Sequence, residues 1–189
     1  MTGALKLRGN CVAYLDWANI HGWSKSLKRE VDPEKLFGYL TSYSQIRRSN
    51  LYFGTDKHPK SKTFIRQAKS IGFQVTTKPV KYITVFDETI KKKFKFRKCD
   101  FDMETCIDVH KDLADGVESF VFFTGDGDFE PLYKLLIGKQ KQVIVIYMYG
   151  HLGREIFKLK RGIFKVSIET LERWYGKSLT KNDPAKGGA

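Results

Sequence analysis

A chain of 189 residues has the usual length of one domain, and 41% hydrophobic with 29% charged residues is the composition of a soluble globule, excluding a disordered or membrane-embedded chain. Its 34 Lys and Arg exceed 21 Asp and Glu, for a net charge of +13, so a polyanion partner is expected: counterion release draws a phosphate backbone to such a surface, and lipid headgroups would also be attracted. Three cysteines, Cys11, Cys99 and Cys106, lack CxxC spacing and suit a reducing cytoplasm, while no secretory signal or apolar run near the roughly 18 residues of a spanning helix is visible, so a cytoplasmic location without membrane contact is expected.

Strand-like apolar runs recur at CVAYLD, NLYFGT, FQVTT, SFVFFTG and QVIVIYM, separated by segments of helical length. This alternation predicts an α/β fold in a single domain, with a doubly wound, mostly parallel sheet of about five to six strands. VFFT and VIVIYM are apolar on both faces, as central strands covered by helices must be. Asp32 and Pro33 offer an N-cap and first-turn proline for a helix whose apolar face is Leu36, Phe37 and Leu40. A second helix is predicted from about Lys60 to Ile71, stopped by Gly72, and another from about Asp102 to Asp115, stopped by Gly116. Between them, ITVFDETIKKKFKFRK alternates in places and predicts a protruding hairpin. A short helix, a strand near IFKVSI and a last helix through Trp174 should follow Met148. Residues 1–175 then form the domain, and residues 176–189 are expected to be a disordered tail.

Open parallel sheets bind ligands beyond the carboxyl ends of their strands, and the informative acids fall there. Asp16 closes CVAYLD; Asp126 and Asp128 follow SFVFFTG in TGDGDF. A carboxylate at a strand end can instead cap the next helix, a role that suits Asp128 before Phe129, Glu130 and Pro131. Gly125 and Gly127 permit close backbone approach without demanding an acid between them. In KCDFDMETCIDV, Asp100, Asp102, Glu104 and Asp108 crowd a helix start. Six residues turn a helix by about 240°, so Asp102 and Asp108 share a site only if Asp102 lies at or before the N-cap. Asp102 as a plain cap and Asp108 facing solvent remain open readings. Carboxylates clustered without His or Cys favour Mg²⁺ or Mn²⁺, which activate water for phosphodiester hydrolysis.

AYLDWANIHG resembles the opening D-x-x-N motif of NYN domains, relatives of the PIN-like nucleases, with Asp16 and Asn19 in its two positions. KCDFDMETCIDV is similar to that family's K-x-x-D-x-x-x-x-x-D segment, and FFTGDGDFEPLYKLLIGKQKQVIVIYM to its S-G-D-x-D-F segment with the following helix and strand. The motifs stand in the family's order from about Cys11 to Trp174, and the bacterial, LabA-like branch fits best. The resemblance implies a PIN-like fold and metal-dependent ribonuclease activity. It would place Asp16, Asp102, Asp108, Asp126 and Asp128 around the metal, Asn19 orienting Asp16 or a water, and Thr124 where serine is common. Catalytic roles would fall to Asp16, Asn19, Asp102 and Asp126. Cys99 replaces a common glycine, and Asp100 blurs which acid is the ligand.

The basic stretch Lys91, Lys92, Lys93, Phe94, Lys95, Phe96, Arg97 and Lys98 reads as a single-strand binding segment, with phosphate contacts and base stacking, or as an edge strand whose lysines prevent aggregation. Lys57, Lys60, Lys62 and Arg66 have the look of an ordinary helix surface, and His21, beside the D-x-x-N motif, reads as a structural or surface histidine, with substrate binding or proton transfer as its alternative. The expected partner is RNA, single-stranded, with no membrane, and a homodimer is compatible with the sequence. A catalytically weak RNA-binding adaptor and a DNA-directed nuclease are the alternatives. A Toprim-type domain would want Glu where Asp16 stands, and TGDGDF lacks the G-x-G-x-x-G of dinucleotide sites.

Overall fold

The computed structural model describes residues 5–89 and 91–171. Among the described residues eight strands are formed: β1 (Cys11–Asp16), β2 (Ile46–Thr55), β3 (Gln74–Pro79), β4 (Lys81–Asp87), β5 (Lys92–Lys98), β6 (Ser119–Phe123), β7 (Gln142–Tyr147) and β8 (Ile163–Ser167). The helices are α1 (Trp17–Gly22), α2 (Ser24–Leu27), α3 (Pro33–Thr41), α4 (Pro59–Ile71), α5 (Asp102–Ala114), α6 (Glu130–Gly138) and α7 (Arg154–Lys158). Six strands make one sheet in the order β3-β2-β1-β6-β7-β8, with every neighbouring pair parallel. The doubly wound architecture anticipated from the alternating pattern is therefore present. Strand order reverses between β1 and β6, which is where such sheets open a ligand crevice.

Side-chain alternation sorts the sheet into two cores. Leu15, Val121, Phe123 and Ile146 point to the side covered by Ile20, Trp23, Leu36, Leu40 and Ala68 of the first helices. Tyr14, Phe120, Phe122 and Val145 point to the other side, against Val109, Leu132, Tyr133, Leu136 and Ile156. Each face of β6 thus loses its water, which explains an uninterrupted apolar strand.

Local signals place the helices as expected. Asp32 caps α3 by accepting from the Glu34 amide, with Pro33 at its first position. Gly72 ends α4 at φ 121°, and Gly116 follows α5 at φ 80°. One boundary differs: β2 begins at Ile46, four residues before the expected NLYFGT run. Arg47 and Arg48 disguise this extension, and Arg48 is accommodated because its guanidinium pairs with buried Asp112. Strands β4 and β5 form the anticipated hairpin, a separate antiparallel sheet. The short helix and the strand after Met148 are present as α7 and β8; a 3₁₀ turn, Ile168–Leu171, follows, and the remainder of the expected last helix and the tail lie outside the described residues.

Phe122 is fully buried between Tyr14 and Tyr133. Phe122→Ala should cost about 3–5 kcal/mol, read as a lower urea midpoint with an unchanged slope.

Candidate active site

Strand β1 ends in Asp16, whose carboxylate turns back to cap α1 by accepting from the Asn19 amide at 3.1 Å. The Asn19 side chain works in both directions: Nδ2 donates to Asp16 Oδ2 at 3.4 Å, and Oδ1 accepts from the Gly125 amide at 3.3 Å. One residue of the D-x-x-N motif therefore joins the carboxyl ends of β1 and β6 across the reversal of strand order.

Beyond β6 the chain turns through TGDGDF. Thr124, buried, accepts the Asp126 amide on its hydroxyl at 3.2 Å, and Asp126 Oδ1 accepts the Asp128 amide at 3.0 Å. Capping thus belongs to Asp126; α6 begins with Phe129 as its cap and no side-chain cap bond, which leaves Asp128 exposed and outside the capping role. The glycines have a steric reason. A Cβ on Gly125 would stand 1.7 Å from the His151 carbonyl oxygen, and one on Gly153 would stand 2.6 Å from Gly127 Cα. The segment after β7 lies directly against this loop, and the Gly153 amide donates to the Gly125 carbonyl at 2.7 Å.

Helix α5 delivers the third acid. Its cap position is Phe101, so Asp102 is the first helical residue rather than a cap. Two tyrosines hold the helix: Tyr14 of β1 donates to Asp112 at 2.5 Å, and Tyr52 of β2 donates to Asp108 at 2.9 Å. Arg48 completes the buried Asp112 pair. Lys78 ties the helix start to β3 through Glu104 at 2.8 Å and passes over the Phe101 ring at 4.8 Å.

The acids influence one another's ionisation. Burial pushes the Asp16 carboxyl above the usual range; the Asn19 bonds oppose this, and the charge of Asp126 adds to it. Asp102 is raised by burial and then by the charges of Asp126, Asp100, Asp128 and Asp16. Asp16, Asp102, Asp126 and Asp128 therefore share one electrostatic neighbourhood. Asp100 is held by Lys78 at 3.9 Å and Lys98 at 3.8 Å. Asp108 lies six residues beyond Asp102, about 9 Å along the axis; it is occupied by Tyr52 and by Lys111 at 3.6 Å, and belongs to a different cluster.

Two groups escaped the reading of the chain. Tyr133 is fully buried, its hydroxyl lacks a hydrogen-bond partner among the described residues, and the charges of Asp126 and Asp16 help burial to raise its pKa. Within LYKLLIG it looks like one more apolar helix position. Glu155 places a carboxylate oxygen 2.3 Å from where a Cβ of Gly127 would stand, bringing a further acid against the TGDGDF loop. It lies eight residues beyond the end of β7, too far to be read as a strand-end acid.

Residues 11–158 match the NYN domain. The chain belongs to the NYN family. This is a nuclease-type family with a PIN-like fold, whose members generally use divalent metal ions. The chain is 30% identical over 155 residues to the low amplitude and bright protein LabA of Synechococcus elongatus, covering 81% of this chain and 77% of that one. A crystal structure of a protein of unknown function from Vibrio parahaemolyticus aligns with a TM-score of 0.63 at 19% identity, over 86% of this chain and 96% of the other, which supports the fold alone. No helix among the described residues is long and apolar enough to cross a membrane.

A carboxyl group raised by folding costs stability once it is ionised; the cost vanishes below the unfolded value and returns as pH rises through the folded one. Asp102→Asn should therefore raise the melting temperature of this NYN domain by a few degrees at pH 7, and the gain should shrink steadily as pH falls through the carboxylate range. A gain independent of pH would refute the repulsion.

Proposed function

We propose that this NYN domain is a metal-dependent endoribonuclease that hydrolyses phosphodiester bonds of single-stranded RNA at the edge of the sheet where β1, β6 and the start of α5 meet. The observation that carries the proposal is that Asp16, Asp102, Asp126 and Asp128 are delivered to that edge, where burial and neighbouring acids hold the Asp16 and Asp102 carboxyls above the usual range. Like charges gathered from three separate elements lack an ordinary structural purpose, because each raises the cost of ionising its neighbours.

The donor set fits a hard cation such as Mg²⁺ or Mn²⁺, being all carboxylate. Among the described residues no three His, Cys, Asp or Glu side chains are gathered at metal-binding separation. A Mg²⁺ ion held there would take one or two direct carboxylates and reach the remaining acid through its waters. Asp16, Asp102 and Asp126 would hold the ion, with exposed Asp128 at the outer side. When bound, such an ion supplies a more acidic water and screens the negative phosphoryl group.

The chain's own groups do the positioning. Asn19 fixes the separation between Asp16 and the TGDGDF loop, and Thr124 and the Asp128 amide fix the Asp126 side of that loop. The net charge of +13 draws the polyanion, so the acids act on a substrate gathered by basic surface elsewhere. A second reading, an RNA-binding protein with little cleavage, draws on that same basic excess.

Asp126→Asn keeps an oxygen able to accept the Asp128 amide, so folding should persist. Cleavage of labelled single-stranded RNA with Mn²⁺ or Mg²⁺ should fall by about a hundredfold or more in this variant and should stop with EDTA. Mn²⁺ should also raise the melting temperature of the wild type and not of Asp126→Asn, since a ligand stabilises only the state that binds it. Cleavage that survives chelation refutes the metal mechanism; salt-sensitive RNA binding with no cleavage by the wild type supports the second reading. A DNA strand of the same sequence, run alongside, tests selection of the ribose.

A further inference from the structure

The hairpin of β4 and β5 pairs with no other strand among the described residues. Its register divides the basic stretch in a way that a linear reading conceals. Tyr82 stands opposite Arg97, Thr84 opposite Lys95 and Phe86 opposite Lys93, so these residues share one face. Val85 stands opposite Phe94 and Ile83 opposite Phe96, at positions belonging to the other face. Lys93, Lys95 and Arg97 thus take their aromatic partners from β4, whereas Lys92 and Lys98 stand at positions of the face that carries Phe94.

Tyr82 is 60% exposed and Phe86 52% exposed, on a face that also carries three cations. Large aromatic rings left in water beside basic residues signal a partner rather than a core. Arg97 stands at the root of this face, where it meets Asp56 at 2.9 Å and lines a cavity of about 650 Å³. Trp17, Phe53 and Phe64 also line the cavity, with Phe64 centred 4.9 Å from Trp17 and 4.7 Å from Phe53. Trp17 directly follows Asp16, so the chain itself links the cavity wall to the end of β1 that carries the first acid.

We propose that the face formed by Tyr82, Phe86, Lys93, Lys95 and Arg97 is the binding platform for the single-stranded substrate, and that the cavity beside Trp17 receives one of its nucleotides next to the acids. This rests on the reading of the substrate as RNA. Each aromatic and cationic pairing across the hairpin offers one ring for a base and one charge for a phosphate, the combination by which single strands are held without sequence choice. A cavity of about 650 Å³ lies within the range of small-ligand sites. Lys60 and Arg97 at its border supply positive charge against the acids Glu30 and Asp56, and Arg97 pairs with Asp56.

The platform is tested by fluorescence anisotropy of a labelled single-stranded RNA across a salt series, in the Asp126→Asn background so that cleavage does not intrude. Tyr82→Ala with Phe86→Ala should weaken binding by roughly tenfold or more. Lys93→Gln with Lys95→Gln should lower the slope of log affinity against log salt by about 1.4, from roughly 0.7 per lost phosphate contact. Val85→Ser, on the opposite face, should leave both quantities unchanged. So should Lys139→Gln with Lys141→Gln, which removes the same charge at the opposite edge of the sheet. Equal losses from both lysine pairs would reduce the effect to overall charge and overturn the platform, as would a Val85→Ser effect matching that of the aromatic pair. A wild type that cleaves no RNA while the face-specific losses hold would overturn the nuclease reading and leave the platform standing. Cleavage abolished by Asp126→Asn, with hairpin variants that bind normally, would do the reverse.

Discussion

Asn19 spans the gap between two parallel strands that are neighbours in the sheet but are separated by about a hundred residues in the chain, and the rest of the site is arranged around that bridge. Parallel strands end side by side without a covalent link at their carboxyl edge, so loops there are held only by what their side chains reach. By donating to Asp16 and accepting from Gly125, Asn19 sets how far the first acid stands from the loop carrying the others. The glycines of that loop serve the same end from the opposite side. With no Cβ at Gly125, Gly127 or Gly153, the segment after β7 packs directly against the turn and limits its movement.

Helix α5 has to be placed as firmly as the loop, because its first residue is the third acid. Its anchors lie deeper, where Tyr14 and Tyr52 reach from the sheet to Asp112 and Asp108. Burying a carboxylate such as Asp112 is costly unless it is paired, and Arg48 with Tyr14 satisfies it. The same helix therefore carries acids of two kinds. Those deep in the packing are matched by hydroxyl and guanidinium donors and stabilise the fold, whereas Asp102 at the edge faces like charges and opposes it. Asp102 thus faces like charges at the edge, while in the interior Asp112 is paired by Arg48 and Tyr14.

The hairpin shows how secondary structure changes the meaning of a charge run. In KKKFKFRK the cations and rings read as one mixed patch, yet a strand sends successive side chains to opposite faces. Pairing with β4 then brings Tyr82 and Phe86 beside Lys93, Lys95 and Arg97, and puts Ile83, Val85 and Phe94 on the far side with the positions of Lys92 and Lys98. Arg97 connects the basic face to the body through Asp56 and to the aromatic cavity beside Trp17.

The α/β class, the central position of SFVFF and QVIVIY, the cap at Asp32, the helix stops at Gly72 and Gly116, and the hairpin were all legible in the chain, because each depends on periodicity, backbone conformation or capping within a few residues. The strand-end acids Asp16 and Asp126 were legible for the same reason, since a strand followed by a turn determines which edge they occupy. The start of β2 was hidden, because Arg48 becomes an acceptable strand residue only through Asp112, 64 positions away. Asp108 and Asp102 could not be separated from their spacing alone: a helix angle says where a side chain points, but only Tyr52 on another strand decides what it meets. Tyr133 and Glu155 were illegible for the same cause, as their relation to the acids depends on packing between elements distant in the chain. Local conformation is set by neighbours in sequence and so is written there; partnership across the sheet is set by which elements pack together, and that is decided only when the whole fold has closed.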